Sequence, residues 1–231
     1  MNLYSPSHIN LGKNRKVCAV DLDDVLACST EGWLKFLRTV LHPNFDEKNE
    51  FSKFETIDMI KEVRSSKWHT ISNGRPNWAL FKDNYYNLIE TKKFIPYYYY
   101  RILKEAYRNS WVKADLVSKM DATESMNIIK EKGYSVIIMT ARNEKYLALT
   151  VRWLEQHKIP FDGIVFDKKK HIRILENYPT LEFMIEDNRD ISNQVAKWGY
   201  QVFLVSNIYN EGPIDDKVCR VKYLKEIMSK I

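Results

Sequence analysis

Short apolar runs alternate with amphipathic segments along much of this chain. The first run, Val17–Val20, is continuously apolar, which is typical of a strand buried in the middle of a sheet. Four further segments of the same kind predict strands: Ser135–Met139, Phe161–Phe166, Leu181–Ile185 and Gln201–Val205. Helical patterns lie between them, near 123–132, 144–157, 172–177 and 191–198. Strands that alternate with helices predict βαβ units, and therefore an α/β fold with a mostly parallel sheet.

The segment between the first strand and the regular part has a different pattern. It contains no clear strand run, but it has helical patterns around Trp33–Leu37, 79–89 and 97–107, and it is rich in aromatic residues. We expect most of these aromatics to fill a small helical core, while a few exposed ones could stack on a base or sugar. The predicted organisation is a core made of residues 1–28 and 112–231, with a helical cap inserted at 29–111 that can cover a site as a lid.

Three carboxylates follow the first predicted strand at once: Asp21, Asp23 and Asp24. The alternation of an extended chain places the side chains of Asp21 and Asp23 on the same side. Two carboxylates about 4 Å apart repel by roughly 4 kcal/mol at an effective dielectric constant near 20. Such a pair requires a cation, a shared proton or a basic partner, which indicates a site for chemistry.

Other polar residues follow the later predicted strands. Thr140 and Arg142 come after the second, Lys168–Lys170 after the third, and Glu186 with Asp187 after the fourth. The carboxyl ends of parallel strands meet at one edge of a sheet, where such folds bind their ligands, so these groups are expected to converge. Arg142 could contact a substrate phosphate or lie on the surface at a helix start. Asn188 and Asp190 are predicted to cap the helix that follows.

Composition narrows the classes of partner. The formal net charge of +6 favours anionic partners, whereas the densest basic run, Lys168–Arg173, is too short for a nucleic-acid arm. No stretch is long and apolar enough for a membrane span, and no secretory signal is visible, so the cytoplasm is the default expectation. The three cysteines are widely spaced and are expected to be reduced thiols; Cys28 has no His near it in sequence, so a nucleophilic role is not expected.

With these residues in place, the chain resembles the haloacid dehalogenase-like superfamily of phosphohydrolases. Asp21–Leu26, Asp-Leu-Asp-Asp-Val-Leu, is similar to its first motif, and Thr140 matches the second, a Ser or Thr that ends an apolar strand. A lysine within 168–170 matches the third motif, and Glu186-Asp187 matches the acidic fourth. The resemblance implies a three-layer, Rossmann-like α/β core with an inserted helical cap. Within the superfamily, the motifs look most like the 5'(3')-deoxyribonucleotidase group.

The resemblance implies a role for each matching residue. Asp21 would be the nucleophile that attacks phosphorus, and Asp23 would be the general acid for the leaving group and then the base for water. Thr140 would donate a hydrogen bond to a phosphoryl oxygen, and a lysine would neutralise the developing charge. Lys170 is the first choice because it opens the following helix; Lys168 is the second. Arg142, Lys168 and Asp24 are the candidates for substrate contact, although many members have Gly at the position of Asp24.

Magnesium is the cofactor that the resemblance implies. Mg²⁺ prefers oxygen ligands, and we expect them from the Asp21 carboxylate, the Asp23 backbone carbonyl and the Asp187 carboxylate. Glu186 is included among the metal-site residues, with Glu186 or Asp190 supporting the ligands from behind. The ion would also offset the repulsion between the carboxylates.

The predicted function is Mg²⁺-dependent hydrolysis of a small phosphorylated substrate, a nucleoside or deoxynucleoside monophosphate. One alternative is a 3'-phosphatase that acts on nucleic-acid ends, which the basic charge suits. The other is a binding protein that has the fold without turnover, against which the intact Asp21, Asp23, Thr140 and Asp187 argue. The oligomeric state, the base preference and the choice between 5' and 3' phosphates are left open by the sequence.

Overall fold

A single parallel sheet forms the centre of the larger of two compact units. The computed structural model describes residues 16–42, 44, 57–66, 95–109 and 115–231; the helical pattern at 79–89 lies outside them. Within the described residues, six strands lie in the order β3-β2-β1-β4-β5-β6, and every neighbouring pair is parallel. The strands are β1 (Val17–Val20), β2 (Ser135–Thr140), β3 (Gly163–Phe166), β4 (Leu181–Glu186), β5 (Gln201–Val205) and β6 (Val218–Val221). The predicted α/β fold is confirmed; β6 was not predicted.

Helices follow the strands as the sequence indicates. In the larger unit they are α4 (Ala122–Glu131), α5 (Leu147–Gln156), α6 (Lys170–Asn177) and α7 (Arg189–Lys197). Gly133 has a positive φ of 88° just after α4, a conformation that glycine adopts without steric cost, and this ends the helix where predicted. The segment expected to form one helix at 144–157 begins instead with a separate 3₁₀ turn, Glu144–Tyr146, which the side chain of Asn143 caps.

Both faces of the central strands are buried. On one face, Val17 and Ala19 share an apolar cluster with Ile174 of α6 and Val195 of α7. The alternate residue Cys18, which points to the opposite face, is also fully buried. Each fully buried aliphatic side chain of this size contributes roughly 1.5–3 kcal/mol, so the sheet is held between two apolar layers. This explains why β1 is apolar without interruption.

β1 lies at the point where the sheet reverses its direction of growth. The chain adds β2 and β3 on one side of β1, and β4, β5 and β6 on the other. In open parallel sheets, this switch point leaves a crevice beyond the carboxyl ends of the two central strands. Asp21, the residue that follows β1, therefore lies at the position where such folds bind ligands.

The smaller unit consists of the described residues between Cys28 and Val117. It contains α1 (Ser29–Val40), α2 (Ile57–Arg64) and α3 (Tyr97–Asn109). Trp33 is fully buried in its core, with ring centroids 5.3 Å from Tyr107 and 6.0 Å from Tyr100. These aromatics fill a helical core, whereas Tyr97 and Tyr98 on α3 are exposed. None of the helices in the described ranges is long and apolar enough to cross a membrane.

Candidate active site

Asp21 is buried at the carboxyl end of β1 beside a buried lysine. The backbone N–H of Asp21 donates to the carbonyl of Ile185 over 2.9 Å, which continues the pairing of β1 with β4. Its Oδ1 accepts a hydrogen bond from the backbone N–H of Leu22 at 2.7 Å, and lies 2.7 Å from Nζ of Lys170. Lys170 is the first residue of α6 and is only 2% exposed. Its ammonium also donates to Oε2 of Glu186 over 2.9 Å.

The protonation of this cluster depends on burial and on the nearby charges. Burial raises the pKa of the Asp21 carboxyl to about 7, although the Lys170 ammonium opposes the shift. Burial alone would lower the pKa of Lys170, but Asp21 and Glu186 raise it above its ordinary value. The lysine therefore remains a cation, and Asp21 ionises close to neutral pH.

Three acidic side chains converge at the same point of the sheet edge. One carboxylate oxygen from each of Asp21, Glu186 and Asp187 lies within 4.8 Å of the others. Burial raises the pKa of Asp187 well above its usual range, and the charges of Glu186 and Asp21 raise it further. Of these three acids, only Asp21 and Glu186 contact Lys170, so the cluster has an excess of negative charge when all three are ionised. Oxygen donors with this excess fit a hard divalent cation such as Mg²⁺.

Glu186 differs from the other two acids in its surroundings. Its Oε1 accepts hydrogen bonds from the backbone N–H groups of Asp187, at 3.2 Å, and Asn188, at 3.0 Å. Its Oε2 receives Lys170. Both oxygens of Glu186 are therefore already engaged by the protein, which suits a residue that orients Lys170 and the turn after β4.

Asp23 is held by Arg142 in a two-point ion pair. The Nε of Arg142 donates to Oδ2 of Asp23 over 2.9 Å, and its Nη2 donates to Oδ1 over 2.6 Å. The Arg142 side chain is only 7% exposed, which contradicts the alternative of a surface residue. Its backbone N–H donates to Oγ1 of Thr140, the fully buried last residue of β2, over 3.2 Å. Arg142 thus links the predicted acid–base residue to the second strand.

The remaining predicted residues have simpler positions. Lys168 and Lys169 are exposed, so of the three adjacent lysines it is Lys170 that the structure brings to Asp21. Oδ1 of Asn188 accepts hydrogen bonds from the backbone of Asp190 and Ile191, which confirms that it caps α7. Asp190 lies in the exposed first turn of that helix.

Asp24 occupies a backbone conformation that usually favours glycine. Its φ is +64°, in the left-handed region, where aspartate is among the better tolerated of the other residues. Its backbone N–H donates to the carbonyl of Ala27 over 2.7 Å and closes the turn after β1. The departure from Gly seen in the sequence is therefore compatible with the turn.

Sequence reasoning did not find Tyr209, which reaches the acidic cluster from the connection between β5 and β6. Its hydroxyl donates to Oδ2 of Asp187 and lies 3.2 Å from Oδ2 of Asp24. Burial, followed by the charges of these two carboxylates, raises the pKa of Tyr209, so it remains a phenol. The next residue, Asn210, donates from Nδ2 to the backbone carbonyl of Asp187 over 2.7 Å. The available signal was position, because both residues follow β5 at the same sheet edge.

Two proteins named as nucleotidases are similar in sequence to this chain. It is 24% identical to a nucleotidase of Clostridium acetobutylicum over 152 residues, which make up 62% of this chain and 79% of that protein. It is 28% identical over 102 residues to YqfW of Bacillus subtilis, a nucleotidase candidate, across 43% of this chain and 52% of the relative. The chain thus spans about half the length of the second relative. No protein-family model matches the sequence.

The fold is shared with solved hydrolases of the haloacid dehalogenase-like superfamily. A hydrolase candidate of that superfamily, YfnB of Bacillus subtilis, whose structure is bound to magnesium, superposes with a TM-score of 0.56 at 12% identity. The match covers 94% of this chain and 99% of that one. At this identity the likeness shows the fold, which is that of haloacid dehalogenase-like hydrolases. The α/β fold that the resemblance implied is confirmed.

Proposed function

We propose that the protein is a Mg²⁺-dependent phosphomonoesterase that acts through an aspartyl-phosphate and hydrolyses nucleoside or deoxynucleoside monophosphates. The observation that carries the proposal is the contact of buried Asp21 with Lys170 inside a cluster of carboxylates. Asp23, held by Arg142, lies two residues further along the same turn. Fixed acid, base and cation at one sheet edge are the groups that phosphoryl transfer requires.

The first step is an attack by the Asp21 carboxylate on the substrate phosphorus. An acyl-phosphate bond forms between Asp21 and phosphorus and the bond to the leaving alkoxide breaks, while Asp23, in its protonated form, gives a proton to the leaving oxygen. In the second step, the Asp23 carboxylate takes a proton from water, and the water oxygen attacks phosphorus. Inorganic phosphate leaves and Asp21 returns as a carboxylate.

Lys170 and Thr140 stabilise charge during both steps. The ammonium of Lys170 is already 2.7 Å from the attacking carboxylate, so it neutralises charge without a rearrangement. Thr140 ends β2, which pairs with β1, and donates its hydroxyl to a phosphoryl oxygen.

The metal would be held by Asp21 and Asp187 together with the backbone carbonyl of Asp23. When bound, Mg²⁺ supplies positive charge for the phosphoryl oxygens. Glu186 supports the site from behind, because its two oxygens already accept hydrogen bonds from Lys170 and from the turn after β4. The magnesium in the similar YfnB structure supports this choice of ion.

The nucleotide substrate rests on the motifs and on the two relatives named as nucleotidases. The test is phosphate release, with and without Mg²⁺, from 5'- and 3'-nucleoside monophosphates in ribo and deoxy forms, a 3'-phosphorylated oligonucleotide and common sugar phosphates. Mg²⁺-dependent release from mononucleotides is expected. Release from the oligonucleotide alone would replace the proposal with end repair, and a folded protein inactive on every substrate would contradict it.

Replacing Asp21 isolates the nucleophile. Asp21→Asn should abolish turnover, because an amide cannot form the aspartyl-phosphate, while substrate binding in the presence of Mg²⁺ is partly retained. The matched control is Asp162→Asn, the same change in a different aspartate. Asp162 directly precedes β3 and forms an ion pair with Lys130. Phosphate release and equilibrium binding are measured on both variants. Substantial residual turnover in Asp21→Asn would remove Asp21 as the nucleophile.

A further inference from the structure

We propose that Tyr209 is a positioning residue that orients the Asp187 carboxylate for Mg²⁺, with Asp24 as the second anchor of its hydroxyl. This inference rests on the metal site proposed above. It assigns a role to a residue outside the four recognised motifs. It also explains why this chain has an acid at position 24.

The first argument is the bridge that Tyr209 makes. Its hydroxyl contacts Oδ2 of Asp187 and lies 3.2 Å from Oδ2 of Asp24, so one phenol connects the turn after β1 with the turn after β4. Asp187 follows the last residue of β4, and its side chain can rotate unless something restrains it. A hydrogen bond to one carboxylate oxygen restrains that rotation. Partners of this kind around metal ligands set both their orientation and the affinity for the metal.

The second argument is that Tyr209 is itself held against the residue it orients. The neighbouring Asn210 is 2% exposed, and its Nδ2 donates to the backbone carbonyls of Asp187 and Val205, each over 2.7 Å. Arg220 on β6 donates to Oδ1 of Asn210 over 3.2 Å and to its carbonyl over 2.7 Å. The turn that carries Tyr209 is therefore tied to the backbone of Asp187, so that the two move together.

The third argument is chemical. A phenol has a single O–H proton and no positive charge. It donates this proton to Asp187, with Asp24 at 3.2 Å as the longer contact of a shared hydrogen bond, and it does not compete with a cation for the carboxylates. A lysine or arginine at the same place would neutralise the cluster and weaken its attraction for Mg²⁺. The hydroxyl of Tyr209 therefore combines orientation with a preserved negative charge.

The test is the affinity of the full-length protein for Mg²⁺ alone, measured by calorimetry without substrate. Tyr209→Phe removes the hydroxyl and keeps the ring, and we expect the dissociation constant for Mg²⁺ to rise about 10-fold or more. The matched control is Tyr134→Phe, which removes a phenol–carboxylate hydrogen bond to Glu182 at the start of β4. It should leave Mg²⁺ affinity unchanged. Excess Mg²⁺ should restore kcat in Tyr209→Phe, which a general loss of structure would not allow.

Asp24→Gly examines the second anchor. Glycine adopts the positive φ of this position without strain, so the turn is kept while the carboxylate is removed. If Asp24 acts through Tyr209, the fold-increase in the Mg²⁺ dissociation constant of the double variant, Asp24→Gly with Tyr209→Phe, is smaller than the product of the increases in the two single variants. Independent losses would overturn the part assigned to Asp24.

An unchanged Mg²⁺ affinity in Tyr209→Phe would overturn the inference. Failure of the wild-type protein to bind Mg²⁺ would overturn it together with the proposed metal site. Mg²⁺ binding without phosphate release from any substrate would contradict only the proposed function. In that case, the affinities of Tyr209→Phe and Tyr134→Phe still decide the role of Tyr209.

Discussion

The guanidinium of Arg142 is held at three points within the larger unit. Two of its nitrogens contact the two oxygens of Asp23, and Nη1 lies 3.4 Å from Oγ1 of Thr150 on α5. This planar, two-point geometry is one that lysine cannot reproduce. The structure therefore favours a third role, which the sequence did not suggest, in which Arg142 orients Asp23, the proposed acid–base residue.

Arg142→Lys should separate these roles by the leaving group of the substrate. In the proposed mechanism, a nucleotide alkoxide takes a proton from Asp23 as it leaves, whereas p-nitrophenolate leaves without one. We expect kcat to fall about 100-fold for a mononucleotide, because small displacements of a reacting group have effects of that size, and much less for p-nitrophenyl phosphate. Arg173→Lys, a change in a half-exposed pair with Asp167, is the control. Equal losses on the two substrates would indicate that Arg142 contacts the phosphate instead.

At the scale of single residues, the sequence reveals groups at the end of a strand or directly after it, and misses those that lie within loops. Asp21, Thr140 and Glu186 could be placed because apolar runs mark the strand ends beside them. Tyr209 could not, since a lone tyrosine in a polar connection has no pattern of its own. The pairing of Arg142 with Asp23 joins residues 119 positions apart and depends on how β1 and β2 lie in the sheet.

At the scale of elements, β6 contributes to the site although it carries none of its groups. Arg220 on this strand donates to the backbone carbonyls of Asn210 and Gly212, over 2.7 and 3.0 Å, and to the Asn210 side chain. Three hydrogen bonds from one guanidinium hold the connection between β5 and β6. The edge strand thus supports the turn that carries Tyr209.

Arg220→Met keeps most of the side-chain length and removes these hydrogen bonds. We expect a loss of about 2 kcal/mol in the free energy of unfolding, since hydrogen bonds to charged groups have contributions of this size. Urea denaturation measures the loss. Arg152→Met, at an exposed position on α5, should change the free energy of unfolding by less than about 0.5 kcal/mol. A similar small change in Arg220→Met would show that the turn holds without β6.

The predictability of the elements follows from their burial. β1 and β2 are buried throughout, and in β4 only Glu182 is exposed, so the three strands stand out in the sequence as mainly apolar runs. β6 is an edge strand in which only Val218 and Val221 are buried, while Cys219 and Arg220 are partly exposed. Four residues with an arginine inside carry too little apolar pattern to stand out from a loop. The predicted start of a helix at Glu144 was wrong, because Glu144–Tyr146 form a 3₁₀ turn that Asn143 caps.

At the scale of the whole molecule, a basic protein contains a locally acidic site. The formal net charge is +6, yet three carboxylates converge around Lys170 at the end of β1. Burial raises the pKa of Asp21 from 3.8 to about 7. Between these values the folded protein retains a proton that the unfolded chain has lost. Asp21 therefore contributes stability that is fully present below pH 3.8 and is lost as the pH rises through about 7.

The stabilisation by Mg²⁺ should have the opposite dependence on pH. The ion binds ionised carboxylates and competes with their protons. The rise in melting temperature at a fixed Mg²⁺ concentration should therefore be larger at about pH 8 than at about pH 5.5. Thermal unfolding at both pH values, with and without Mg²⁺, measures this difference. The same experiment on Asp187→Asn is the control, and its Mg²⁺ shift should be small at both. A Mg²⁺ shift independent of pH would place the ion away from this cluster.

The central position of β1 has a consequence for the order in which the protein is made. The ribosome produces Val17–Val20 before every other strand of the sheet, but the strands that flank it begin at Ser135 and Leu181. Until those residues are synthesised, the apolar run that precedes Asp21 has neither neighbouring strand. Folding then requires that this unpaired run does not aggregate. Lys170, Asp187 and Tyr209 emerge later still. A nascent chain therefore carries its proposed nucleophile before the flanking strands exist, and acquires the groups proposed to activate it only after β2 and β3 have been translated.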